Sequence, residues 1–201
     1  PQNTNVTVYH ETQTQDIFEH SRLEWIDIHK VQPALVEFKN KYKDDPVANG
    51  EIQEIDNGVR RPGPMPSKGS FQWNAVRFSN KVFCVTHALR NSVDYDYVIW
   101  IDADTYSFRS MPSNFLQKIL PSDSFVTYLG RGDQDPECGF VGYNLKHSSL
   151  EEFNNEWEDL YINDGIFKLT SGWTDCSSLI HLINKYQKQK GITVTDIGHA
   201  S

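Results

Sequence analysis

Five apolar residues, Tyr97-Val98-Ile99-Trp100-Ile101, run straight into Asp102-Ala103-Asp104-Thr105. No other segment constrains the fold as tightly. An unbroken apolar run of this kind predicts a strand covered on both faces, as in a parallel sheet. Such a sheet needs helices packed against it, so the expected class is α/β with a mixed sheet. Open α/β sheets place their ligands beyond the carboxyl ends of their strands, and two carboxylates stand there. In an extended chain, residues i and i+2 point the same way. Asp102 and Asp104 would then converge on one divalent cation, directly or through water. A hard cation, Mg²⁺ or Mn²⁺, takes one or two carboxylates and completes its shell with phosphate oxygens. The plainer alternative is a pair of solvated carboxylates at a strand end.

The rest of the chain alternates strand and helix patterns. Val6 to Tyr9 is a short β-branched and aromatic run, and Leu35 to Tyr42 has helical spacing that Pro33 bounds. Residues 44–70 carry Gly50, Gly58, Pro62, Gly63, Pro64, Pro66 and Gly69 and are expected to form a long flexible loop. Trp73 to Arg90 reads as an amphipathic helix, with Ala75, Phe78, Val82, Val85 and Leu89 three and four residues apart. Asn74, Arg77 and Lys81 form a second row that could face a common ligand. Ser124 to Leu129 and Cys138 to Tyr143 are further strands. Ser148 and Glu151 have capping-box spacing ahead of Leu150, Phe153, Trp157 and Leu160. A last helix spans Asp175 to Gln189 with Gly191 as its stop, and Ile192 to Thr195 returns as a strand.

Composition excludes several classes. The 201 residues suit one domain. With 19 Lys and Arg against 27 Asp and Glu, the chain lacks the cationic balance that nonspecific nucleic-acid binding needs. No apolar run reaches the roughly 18–20 residues required to span a bilayer. Cys84, Cys138 and Cys176 are far apart, odd in number and without a CxxC or Cys/His cluster. That pattern predicts reduced, mostly buried thiols in a reducing, cytoplasmic setting, with no structural zinc or disulfide framework.

The segment Tyr97 to Asp104 resembles the DxD motif of GT-A-fold, nucleotide-sugar-dependent glycosyltransferases. The order of elements around it is also similar. A helix carrying Arg77 and Lys81 precedes the strand, and Glu137-Cys138-Gly139-Phe140-Val141-Gly142-Tyr143-Asn144 resembles the strand beneath the donor sugar. Trp173-Thr174-Asp175 resembles the acidic loop-to-helix element that closes the sugar pocket. The resemblance implies a Rossmann-like mixed sheet flanked by helices, in a chain that moves a sugar from a nucleotide-diphosphate donor to an acceptor hydroxyl. It implies that Asp102 contacts ribose or a metal-bound water and that Asp104 binds Mn²⁺ or Mg²⁺. Ala103 belongs to the same donor-binding element. Lys81 and Arg77 would neutralise phosphate or nucleotide charge, and Gly139 would admit the sugar close to the backbone. A third metal ligand would come from His199. Asp175, then Glu137, are the carboxylates for a general base if the reaction inverts configuration. Asp175 also reads simply as a helix N-cap. Trp73 and Trp173 could stack on sugar or base, whereas Trp100 suits core packing.

Two other readings compete. Asp102-Ala103-Asp104-Thr105 fits the DxDxT signature of haloacid-dehalogenase-type phosphatases, with Gly132-Asp133 similar to their later acidic motif. An acidic, aromatic-rich, noncatalytic carbohydrate-binding or interaction domain is the other. The family resemblance further implies a domain trimmed at both ends, since Val6 to Tyr9 matches the second strand of the pattern.

Overall fold

The computed structural model describes residues 4–11, 19–51, 55–56, 59–60, 71–110, 112, 114–132 and 134–198. Two parallel strands, β1 (Val6–His10) and β2 (Leu23–Asp27), pair from Val6 opposite Leu23 to His10 opposite Asp27. Asp27 then caps a short helix, α1 (Ile28–Val31), by accepting from the His29 amide at 3.1 Å. Pro33 starts α2 (Pro33–Tyr42), where its missing N–H leaves no helical bond unmade. Regular structure extends into the stretch expected to be an irregular loop. Asp45 Oδ1 accepts from the amides of Val47 and Ala48, and Ala48 is buried. A two-residue ladder joins β3 (Ile55–Asp56) to β4 (Val59–Arg60). Residues 52–54, 57–58 and 61–70 of that stretch lie outside the described residues.

The amphipathic pattern after Trp73 becomes α3 (Ala75–Asn91). Its cap is Asn74, whose side-chain oxygen accepts from the Arg77 amide at 2.8 Å. Four strands form the main sheet: β5 (Tyr97–Ile101), β6 (Val126–Arg131), β7 (Gln134–Asn144) and β8 (Val194–Asp196). Their order is β5-β7-β6-β8, with β7 antiparallel to both neighbours and β8 parallel to β6. The sheet is mixed, as expected, but β5 is neither parallel-paired nor covered on both faces. Among the described residues it is an edge strand, half-buried along its length, with Ile101 54% exposed. Val98 and Trp100 face the core while the alternate residues face outward, so an apolar run mimics double burial that the edge position does not provide.

A short helix, α4 (Phe115–Ile119), precedes Leu120, which lies against Gly142 of β7. The main helical layer comes from α3, α5 (Leu150–Ile162) and α6 (Asp175–Lys190). Val82, Phe83 and Leu89 of α3, Phe153 and Trp157 of α5, and Leu182 and Tyr186 of α6 form one core with Phe125 and Tyr143. Phe153 meets Phe125, Trp157 and Tyr186 with ring centroids 5.1, 5.7 and 5.4 Å apart, the edge-on packing aromatic quadrupoles favour. The expected Ser148–Glu151 box is not the cap of α5. Ser149 occupies the N-cap, and its amide donates to His147 Nδ1 at 3.1 Å, so the imidazole turns the chain. Gly191 closes α6 at φ 65°, as expected. An added Cβ there meets nothing within 4 Å, so only backbone strain opposes it. Gly191→Ala is therefore predicted to cost about 1 kcal/mol, read by urea denaturation.

Candidate functional site

Beyond β5 the chain does not stay extended. The Thr105 amide donates to the Asp102 carbonyl at 2.9 Å, closing a turn over Asp102-Ala103-Asp104-Thr105. Strand alternation therefore does not set the two carboxylates side by side. Asp102 is half-buried, whereas Ala103 and Asp104 are exposed on the turn. Asp102 Oδ1 accepts from Trp100 Nε1 at 2.5 Å and from Lys81 Nζ at 2.8 Å. Trp100 precedes Asp102 by two residues and shares its face, which is how one indole serves both the core and the carboxylate.

Lys81 is the hub. Its ammonium reaches from α3 to Asp102, to Asp175 Oδ2 at 2.9 Å and to the Cys138 carbonyl at 2.6 Å. It also lies 5.5 Å from the centre of the Trp100 ring. Burial pulls the Lys81 pKa down, but the charges of Asp175 and Asp102 outweigh it and hold the ammonium above its ordinary range. The Asp175 side chain is only 5% exposed, so this is a largely buried ion pair. Thr174, not Asp175, caps α6, its hydroxyl accepting from the Ser177 amide at 2.9 Å. Asp175 is thereby released to face Lys81.

An irregularity in the sheet completes the site. Tyr128 pairs with Val141 and Leu129 with Glu137, so residues 138–140 of β7 have no partner on β6. They stay with β5 instead: Phe140 pairs with Ile101, and the Asp102 amide donates to the Gly139 carbonyl at 3.0 Å. Bulges re-aim side chains in this way beside functional sites. The position a Cβ would take on Gly139 lies 3.4 Å from Glu137 Oε1, 3.6 Å from Asp102 Oδ2 and 3.8 Å from Thr105 Oγ1. Three side-chain oxygens thus border the space that a methyl group here would fill. Glu137 is steadied by the Gly139 amide at 3.2 Å and by Arg131 at 3.2 Å. Carboxylate and hydroxyl oxygens of this kind are the ligands a hard divalent cation takes.

Of the residues singled out from sequence, Lys81, Asp102, Glu137, Gly139 and Asp175 are brought together. Arg77 is not. Its guanidinium lies 4.8 Å from the Phe71 ring centre, and Asn74 is spent on the helix cap, so the expected common row divides. Trp73 and Trp173 pack edge-on, 5.2 Å apart and buried, and offer no face to a ligand. His199 lies outside the described residues, as does Asp133. The three cysteines are free, and Cys138 and Cys176, distant in sequence, are brought together where α6 packs on β7. Sequence reading also missed Arg131 and the clamp of Asp135, which accepts from Ser177 Oγ at 2.5 Å.

A cleft of about 480 Å³ opens beside Asp175, lined by Phe71, Phe78, Arg131, Gln134, Asp135 and Cys176 among others. A larger one, about 600 Å³, lies between the β1–β2 pair and α3. None of Lys81, Asp102, Glu137 and Asp175 lines it, and its Tyr9 hydroxyl and His87 Nδ1 are bonded to each other at 2.8 Å. The carboxylate site, with its charges and open backbone, is the stronger candidate. The fold and site together define a mixed α/β protein with a lysine-bridged carboxylate cluster at a strand end. No family profile, curated protein or solved structure matches the chain. Among the described residues, no helix is long and apolar enough to cross a membrane.

Proposed function

We propose that the chain is a metal-dependent glycosyltransferase of GT-A type, moving a sugar from a nucleotide-diphosphate donor to a carbohydrate or other hydroxyl acceptor. The observation that carries this reading is the oxygen cradle over Gly139, adjoining the Asp102–Thr105 turn at the end of β5. Asp102, Asp104 and Thr105 would hold Mn²⁺ or Mg²⁺. Once bound, the cation would supply the positive charge that an acidic protein needs to accept a diphosphate and stabilise it as it departs.

The protein's own part is mainly positioning. Lys81 and Trp100 fix one oxygen of Asp102 and leave the other facing the cradle. Asp175 holds Lys81 in place from beneath, in a buried position that suits support better than proton transfer. Glu137, exposed at the rim, is the better placed carboxylate to take a proton from an acceptor hydroxyl if the reaction inverts.

Thermal denaturation with a panel of nucleoside diphosphates, with Mn²⁺ or with EDTA, tests the reading. At a hundredfold excess over Kd, one nucleotide is expected to add about 2.7 kcal/mol, or roughly 5–10 °C, only with metal. No stabilisation by any nucleotide in the presence of Mn²⁺ would overturn it.

A further inference from the structure

The fold assembles a second donor set that differs chemically from the oxygen cradle. The Sγ atoms of Cys138 and Cys176 and a carboxylate oxygen of Asp175 all lie within 4.8 Å of one another. Cys138 comes from the bulged part of β7, and Asp175 and Cys176 from the first turn of α6. Cys138 and Asp175 are buried, while Cys176 is half-buried and lines the 480 Å³ cleft with Asp175. A cation entering from the cleft would meet Asp175 and Cys176 at its wall, with the buried Cys138 sulfur within 4.8 Å of both.

We propose that Cys138, Asp175 and Cys176 form a binding site for a thiophilic divalent cation, Zn²⁺ or Cd²⁺. Two sulfurs and one carboxylate select such ions over the hard Mg²⁺ and Mn²⁺ that suit carboxylates alone. Charge favours the exchange. Cysteine binds a metal as its thiolate, so each ligating thiol gives up its proton. A divalent cation displaces those two protons to solvent and forms two metal–sulfur bonds, so the net charge of this buried region does not change. Lys81, 2.9 Å from Asp175 Oδ2, supplies the outer hydrogen bond that ligating carboxylates commonly have. Occupancy would fasten the start of α6 to the β7 bulge.

The site does not depend on glycosyl transfer, and its test does not use activity. The full chain, reduced and kept under nitrogen, is titrated with Cd²⁺ while the ultraviolet thiolate-to-cadmium absorption is followed. One Cd²⁺ per chain, about two protons released and a Tm rise of several degrees are expected. Cys138→Ser and Cys176→Ser should each weaken binding by about 100-fold or more, and Cys84→Ser should not. Excess Mn²⁺ should leave the cadmium band in place. Cys176→Ser alters a half-buried side chain and keeps the test valid if Cys138→Ser folds poorly. No thiolate band, a band that survives in the Cys176→Ser chain, or its displacement by Mn²⁺ would overturn the proposal. None of these outcomes bears on the nucleotide experiment, which reads the oxygen cradle.

Discussion

Replacing Lys81 with methionine is expected to destabilise the protein by about 3–5 kcal/mol, a drop of roughly 10 °C or more in Tm. Methionine keeps most of the aliphatic volume, so packing is not the main loss. The loss is electrostatic: Asp175 keeps a buried carboxylate with its cation gone, and Asp102 loses one of two donors to Oδ1. The Cys138 carbonyl loses its ammonium donor as well. Adding Asp175→Asn to Lys81→Met removes the stranded charge and should recover most of the stability, which is the signature of a coupled pair. Alkaline titration gives a second measure. The folded-state pKa of Lys81 lies above its ordinary 10.5, so its stabilising contribution is complete below that pH. It is then lost as pH climbs through the raised value. The Lys81→Met chain should show a shallower alkaline decline than its parent. A single-variant loss below about 1 kcal/mol would contradict a buried hub.

That hub shows how far a sequence can be read. The helix around Lys81, the strand before Asp102, the Gly191 stop and the strand holding Gly139 follow from local rules of period and turn chemistry. Each depends on residues a few positions apart. Most of the differences originate in long-range packing. Burial of β5 was overread because an edge strand with one core face and one outer apolar face looks like a strand covered on both. β2 was missed because Leu23-Glu24-Trp25-Ile26-Asp27 alternates weakly and is fixed by its partner β1. At Asp102 and Asp104 a local turn hydrogen bond takes the place of strand alternation. Arg77 and Lys81 share a helical row yet part company, since a lysine four residues further along reaches the sheet and the arginine finds Phe71. Cys138 and Cys176 meet only because α6 packs on β7, and no spacing in the sequence announces that.

Gly139→Ala should separate folding from function most sharply. The ideal Cβ would stand 3.4–3.8 Å from the Glu137, Asp102 and Thr105 oxygens, ordinary contact distances, so the fold should accept the methyl within about 0.5 kcal/mol. That methyl nevertheless occupies space that the three oxygens border. If a metal and the sugar-bearing diphosphate gather there, displacement by about 1 Å is expected to cost on the order of 100-fold in transfer. The Mn²⁺-dependent thermal shift with nucleotide should shrink in parallel. Asp104→Asn is the companion change. It touches only an exposed side chain on the turn, so Tm in EDTA should hold, while the metal-dependent part of the shift falls away. The two variants test one metal by different routes, one by filling the space at Gly139 and the other by removing a charge from the Asp102–Thr105 turn. A Gly139→Ala chain that keeps full metal-dependent nucleotide binding would place the ligand elsewhere, and the 480 Å³ cleft beside Asp175 would become the site to probe. Loss of binding in both variants, with melting in EDTA unchanged, would tie the chemistry to the turn that ends β5.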